Sequence, residues 1–107
     1  MIEKAVSDAV NNSDVQLVLV SGGTGFTPDD MTPEVISSML TRRADSIVQY
    51  LQQEALKITP MACLSRTVIG TIGESSVMVV TLPGKPKAIH ENLSILFENG
   101  VLAHALS

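Results

Sequence analysis

The residues best suited to chemistry in this chain are a run of glycines that follows an apolar segment. Gly22, Gly23, Thr24 and Gly25 come directly after the apolar residues 15–20. Glycine backbone lets an anion approach several N–H groups and accepts positive φ angles with little strain. The cluster is neither the lysine-bearing P-loop nor the dinucleotide fingerprint. Taken alone, it is therefore equally typical of a phosphate site and of a tight turn from a strand into a helix.

Two carboxylates follow this loop. Asp29 and Asp30 lie between the glycines and a helix that Thr32 is predicted to cap. A carboxylate beside phosphate groups usually shares a divalent cation with them, and Mg²⁺ prefers such hard oxygen ligands. The other interpretation is that both residues simply favour the positive end of the helix dipole.

A second candidate anion site follows a later β-rich run. Pro83, Gly84 and Lys85 form a turn, and Lys87 lies in the first turn of the helix that begins there. Exposed N–H groups and lysine charge together would attract an anion. Solvated lysines without a ligand are the alternative.

The remaining candidates are single residues. Ser65 and Arg66 precede a strand and have donors for phosphate, although Arg66 would equally pair with a surface carboxylate. His90 and His104 have no metal-ligand neighbours at suitable spacing, so we expect both to be structural or exposed. Cys63 is the only cysteine, cannot form an internal disulfide, and is predicted to pack in the core.

Alternating helical and strand patterns must position these residues. The sequence predicts these elements in order: a helix ending near residue 11, a buried parallel strand at 15–20, helices from Thr32 and over 45–57, strands at 67–72 and 76–82 joined by a hairpin-like turn at 73–75, and a helix after residue 86 with Ile89, Leu93, Leu96 and Phe97 facing the core. This alternation predicts an α/β fold with a mostly parallel sheet and helices on both faces. Ligands of such sheets bind beyond the carboxyl ends of the strands, where both glycine-containing loops fall.

Length and composition set the limits. The 107 residues suit one compact domain over 1–107, and a net charge of −4 argues against a nucleic-acid surface. No membrane span or secretory leader is evident, so a cytoplasmic location is expected by default.

Several short segments together resemble one family. Residues 21–34, 56–60, 64–66, 82–88 and 103–106 resemble, in order and spacing, the signature of the MogA and gephyrin G-domain family of molybdopterin adenylyltransferases, which includes MoaB-like proteins. The resemblance implies an α/β/α sandwich, often trimeric, that transfers AMP from Mg²⁺-ATP to the molybdopterin phosphate and releases pyrophosphate. It also implies a possible partnership with a molybdenum insertase domain.

The same resemblance assigns roles to residues. Residues 22–25 would hold the phosphate region of the ligand, and Asp30 would be the catalytic acidic residue and a Mg²⁺ ligand. Ser65 and Arg66, with residues 83–85, would complete the opposite wall of the site.

Three differences from the family keep alternatives open. Asp29 stands where the family usually has arginine, and Thr81 where it often has asparagine. A βα unit of about 30 residues that opens the family domain has no counterpart here, so we expect an exposed sheet edge with low solubility or compensating oligomerisation. The alternatives are a catalytically inactive molybdopterin-binding or scaffold module of the same fold, and a CinA-like nucleotide-processing domain suggested by the pair Asp29 and Asp30.

Overall fold

A computed structural model of the chain describes residues 2–74 and 76–106. The elements in chain order are α1 (Ile2–Val10), β1 (Leu17–Ser21), α2 (Thr32–Met39), β2 (Arg42–Arg43), α3 (Asp45–Ile58), a 3₁₀ helix (Pro60–Leu64), β3 (Ile69–Ile72), β4 (Val77–Leu82), α4 (Pro86–Glu98) and α5 (Val101–Leu106). The predicted helices and strands are all present within a few residues of their expected bounds. The two-residue strand β2 and the 3₁₀ helix were not predicted.

The sheet is mixed rather than mostly parallel. Its strand order is β1-β4-β3-β2, and only the β1–β4 pair is parallel. The prediction of a mostly parallel sheet was wrong because a tight turn joins β3 to β4, where the N–H of Ser76 donates to the C=O of Gly73 at 3.2 Å. Strands joined by so short a turn must be antiparallel. Ser75, part of the predicted turn, lies outside the described residues.

Helices cover both faces of the sheet, as expected. The side chains of β4 alternate between two apolar clusters. Met78, Val80 and Leu82 pack with α3, α4 and α5, whereas Val79 packs with α1 and α2. The α/β class and the three-layer arrangement are therefore confirmed.

Strand β1 is only half-covered, although its apolar sequence predicted burial on both faces. It lies at the edge of the sheet, and Leu19 is 43% exposed. Its neighbour in the sheet is β4, with Ser21 opposite Leu82 in parallel register. The carboxyl ends of both strands thus lie side by side, and the two loops that follow them leave the sheet at one point.

Three local expectations need correction. Thr32 does not cap α2 but is its buried first residue, and its N–H donates to the Gly23 C=O at 3.1 Å. Phe97, predicted to face the core, is 46% exposed, because the buried stripe of α4 runs through Ile95 and Leu96 instead. Cys63 is exposed, because it lies on the 3₁₀ helix, which has no buried residue.

Candidate functional site

The two glycine-containing loops meet. The N–H of Gly22 donates to the C=O of Leu82 at 3.0 Å, which continues the β1–β4 ladder into the loops. A Cβ built on Gly84 would lie 3.6 Å from the Cα of Gly22. The parallel register of the two strands therefore brings together residues that are about sixty positions apart in sequence.

A side chain would be crowded at two positions of the first loop. Gly23 has φ +68°, and a Cβ there would lie 2.3 Å from the hydroxyl oxygen of Thr32. A Cβ on Gly25 would lie 2.7 Å from a carboxylate oxygen of Asp30. Side chains at these positions would displace the start of α2 and the Asp30 carboxylate, so the loop keeps its backbone bare.

Arg66 holds this loop in shape. Its guanidinium donates to the C=O groups of Gly25 and Asp30, both at 2.7 Å, and forms a bidentate pair with Glu34 at 2.5 and 3.2 Å. The guanidinium carbon also lies 5.6 Å from the ring centroid of Phe26. Most of its donors are thus occupied by protein, and Arg66 fixes the shape of the loop.

Asp30 is held in place by Thr27. One carboxylate oxygen accepts from the Thr27 hydroxyl at 2.8 Å and from the Thr27 N–H at 3.0 Å. These hydrogen bonds, with a smaller contribution from the charge of Arg66, hold the pKa of the Asp30 carboxyl below its ordinary value. Asp30 is therefore ionised at neutral pH, and its second oxygen is the one left for a ligand.

A cavity of about 520 Å³ lies between the two loops, α3, the 3₁₀ helix and α4. It brings together most of the predicted site residues, namely Gly23, Thr24, Gly25, Asp30, Ser65, Pro83, Gly84 and Lys85. Gly22 and Arg66 support the loop from outside its lining. Within the cavity the hydroxyls of Thr24 and Ser65 lie 3.2 Å apart, which joins the first loop to the residues before β3.

Sequence reasoning missed the walls contributed by helices. Leu51 and Ala55 of α3, Met61 and Leu64 of the 3₁₀ helix, and Asn92 of α4 also line the cavity. The sequence could have indicated the α4 residues, because residues 88, 91 and 92 lie on the same helical face as the predicted turn at Lys85. The 3₁₀ helix gave no such signal, because its five residues are too few to show a period.

The cavity has two chemically different ends. Near the loops, backbone N–H groups and the side chains of Lys85 and Lys87 suit an anion. Towards α3 and the 3₁₀ helix, the lining is mostly apolar, which suits a flat organic group. The arrangement can therefore hold a molecule with a phosphate at one end and a ring system at the other.

The two positions that differ from the family lie outside this cavity. The buried Thr81 hydroxyl accepts the N–H of Val68 at 2.8 Å, so it satisfies backbone between β4 and the residue before β3. Asp29 is exposed and does not line the cavity. The pair Asp29 and Asp30 is consequently split, with one carboxylate inside the cavity and one outside.

Two kinds of feature are absent from the described residues. Within residues 2–74 and 76–106, no three carboxylate, histidine or cysteine side chains are grouped closely enough to hold a metal ion. Over the same residues, no helix combines the length and the apolar character needed to cross a bilayer.

Comparison with known proteins gives a consistent result. The chain is 43% identical over 91 residues to gephyrin of Dictyostelium discoideum, which covers 85% of this chain and 12% of gephyrin. It is 37% identical over 93 residues to the molybdopterin adenylyltransferase of Haemophilus influenzae, which covers 87% of this chain and 46% of that enzyme.

A solved structure agrees with these relatives. The molybdopterin biosynthesis Mog protein of Mycobacterium ulcerans superimposes with a TM-score of 0.84 at 34% identity, over 98% of this chain and 66% of the other. The chain thus spans about half or less of the length of the two curated relatives. The family model described as a probable molybdopterin binding domain matches residues 1–103, and the chain belongs to this family.

Proposed function

We propose that residues 1–107 form a single domain that binds molybdopterin and Mg²⁺-ATP and transfers AMP to the molybdopterin phosphate, a step of molybdenum cofactor biosynthesis. One observation carries this proposal: a bare-backbone loop, two lysines and an ionised carboxylate surround one end of a cavity whose other end is apolar. The relative named molybdopterin adenylyltransferase supports the same activity.

The proposed chemistry needs positioning and charge neutralisation more than covalent catalysis. The N–H groups of residues 23–25 would hold the terminal phosphate of molybdopterin as the attacking group. Lys85 and Lys87 would stabilise the charge that develops on the α-phosphate of ATP and on the departing pyrophosphate. In this step an O–P bond to AMP forms, the bond to pyrophosphate breaks, and no electron is transferred.

Asp30 fits a Mg²⁺ ion that arrives with ATP. A Mg²⁺ of this kind takes one or two protein carboxylates, with phosphate oxygens and water as its other ligands. Thr27 occupies one Asp30 oxygen, so the second is the donor that remains. Bound Mg²⁺ would offset the negative charge of the phosphates, while Asp30 would fix where they lie.

The test is a transfer assay with the whole chain. The chain is incubated with molybdopterin and Mg²⁺-ATP, and adenylylated molybdopterin and pyrophosphate are measured. We expect both products from the unmodified chain and a loss of about a hundredfold or more in rate from Asp30→Asn, which keeps an oxygen for Thr27 but removes the charge. Asp14→Asn removes an exposed carboxylate that does not line the cavity, and it is the control.

Unchanged transfer by Asp30→Asn would contradict the role assigned to this carboxylate. Absence of product from the unmodified chain would contradict the transfer activity itself.

One alternative has an observation in its favour. Asp30 is the only aspartate in the cavity lining of the described chain, and half of its carboxylate is occupied by Thr27. This fits a module that binds molybdopterin without transferring AMP, and retained molybdopterin binding without pyrophosphate release would identify it. A CinA-like role has no such support, because Asp29 lies outside the cavity.

Assembly and location remain proposals. The family resemblance suggests a homotrimer, and exposed apolar side chains of Phe26 and Met31 would suit contact with further protein. Partnership with a molybdenum insertase domain and a cytoplasmic location are proposed on the same resemblance.

A further inference from the structure

The side chain of Asn92 has no assigned role and is unusual for its position. Only 7% of the residue is exposed, yet among the described residues its carboxamide has no hydrogen-bond partner. A nearly buried amide that no protein group satisfies must bond to water or to a ligand, so its position calls for an explanation.

The carboxamide of Asn92 must open into the cavity. In the described chain no fully enclosed side-chain nitrogen or oxygen lacks a partner. Since the Asn92 amide has none, its nitrogen and oxygen must each reach an accessible surface, and Asn92 lines the cavity. A donor and an adjacent acceptor are therefore presented together inside the binding site.

The place of Asn92 along α4 separates it from the phosphate end. It lies seven residues beyond Lys85, which is about 10 Å along the helix axis at 1.5 Å per residue. Leu51 and Ala55 of α3 contribute apolar side chains to the same cavity lining. A ligand whose phosphate lies near Lys85 would place its ring system beside Asn92, against apolar walls.

The other amide of the cavity is already in use. The nitrogen of Gln52 donates to the C=O of Ser65 at 3.3 Å and lies 3.4 Å from the hydroxyl of Thr67. Asn92 thus differs from Gln52 in having both amide atoms available.

From these observations we propose that Asn92 is a specificity-determining residue that recognises the ligand's fused heterocycle by pairing with an adjacent donor and acceptor on the ring edge. A carboxamide makes such a two-point contact with adenine, and the amino-oxo edge of a pterin offers the same pair of groups. This inference rests on the proposed function, because it assigns a role within the same cavity.

The test separates the ring end of the ligand from its phosphate end. Three probes are titrated by calorimetry into the whole chain: the non-hydrolysable ATP analogue AMP-PNP with Mg²⁺, molybdopterin, and inorganic pyrophosphate with Mg²⁺. Each is measured for the unmodified chain, Asn92→Leu, Asn92→Asp and His90→Gln. His90 is exposed, lies two residues away on α4 and does not line the cavity, so it is the matched control.

We expect Asn92→Leu to weaken binding of one heterocyclic probe by about tenfold or more, while pyrophosphate binding stays unchanged. A loss for AMP-PNP alone identifies adenine as the group recognised, and a loss for molybdopterin alone identifies the pterin. Asn92→Asp keeps the size of the side chain but loses the donor, so it should weaken the same probe. Binding of that probe by Asn92→Asp as tightly as by the unmodified chain would mean that shape, not hydrogen bonding, is responsible.

Thermal unfolding excludes a purely structural role. Since the amide has no protein partner, Asn92→Leu should leave the melting temperature unchanged or raise it. A lower melting temperature together with weaker pyrophosphate binding would overturn the proposal. If the unmodified chain transfers AMP but Asn92→Leu binds both heterocyclic probes normally, this inference fails and the proposed function stands; if the unmodified chain binds neither, both fail.

Discussion

The two walls of the cavity are built in different ways. The wall formed by residues 22–34 depends on side chains that bind the protein's own backbone: Arg66 holds two carbonyl groups, and Asp30 holds Thr27. The wall formed by α4 depends on helix geometry and apolar packing, and its polar groups at Lys85, Lys87 and Asn92 face the cavity instead.

The loop wall fixes the shape of the cavity, whereas the α4 wall supplies the groups that can bind a ligand. On the loop wall, the charged groups form hydrogen bonds within the protein. The groups left for a ligand are mainly backbone N–H groups and one carboxylate oxygen. On the α4 wall, the helix needs no help from these side chains, so they are available for binding. Substitutions on the loop wall should therefore change stability and binding together, whereas those on the α4 wall should change binding alone.

Adding a side chain to the glycine loop should have the largest effect on stability and binding. Gly23→Ala adds a Cβ at 2.3 Å from the Thr32 oxygen and at a positive φ, so we expect a loss of more than about 2 kcal/mol in unfolding free energy and loss of ligand binding. Chemical denaturation measures the first and calorimetry with pyrophosphate the second.

Gly73→Ala separates the two causes. Gly73 also has a positive φ, of +77°, but a Cβ there would meet nothing within 4 Å. It should cost only about 1 kcal/mol and leave binding intact. Equal losses at both positions would show that backbone strain, rather than contact with α2, makes glycine necessary at position 23.

Weakening the contacts of Arg66 with the loop should have an intermediate effect. Arg66→Lys keeps the charge but cannot reach the carbonyls of Gly25 and Asp30 and the Glu34 carboxylate together. We expect a melting temperature lower by a few degrees and pyrophosphate affinity weaker by about tenfold. The control Arg43→Lys alters an exposed pair with Asp45 and should change neither. Normal pyrophosphate binding by Arg66→Lys would show that the loop keeps its shape without the arginine contacts.

The smallest effect should be the pH dependence of stability. Because its pKa is lowered on folding, the Asp30 carboxyl contributes stability that is fully present above its ordinary value of 3.8 and is lost as the pH falls through the folded-state pKa. Thr27→Val removes the hydroxyl donor, so its melting temperature should fall below that of the unmodified chain at neutral pH, and the gap should narrow below about pH 4. A difference in melting temperature that stays constant across this range would argue against Thr27 as the main cause of the lowered Asp30 pKa.

The sequence predicted most of the fold and the loop side of the site, for physical reasons. Apolar periodicity located the helices, and the glycines and prolines marked both loops, because these signals are local. Whether a strand is central or at an edge depends on neighbours that are distant in sequence, so the apolar run at β1 could not reveal that Leu19 is exposed. The role of Arg66 was left open between a ligand and a carboxylate for the same reason: Glu34 is 32 positions away.

The hydrogen-bonded register between β1 and β4 also bears on how a ligand enters. Five consecutive residues of β1 are paired with β4, up to Ser21 and Leu82 at the point where the loops begin. The loops cannot swing apart unless these pairs break. The 3₁₀ helix on the far side has no buried residue and follows the last turn of α3 through a single threonine. If the cavity changes width when a ligand binds, we therefore expect residues 60–64 to move and the paired strands to keep their positions.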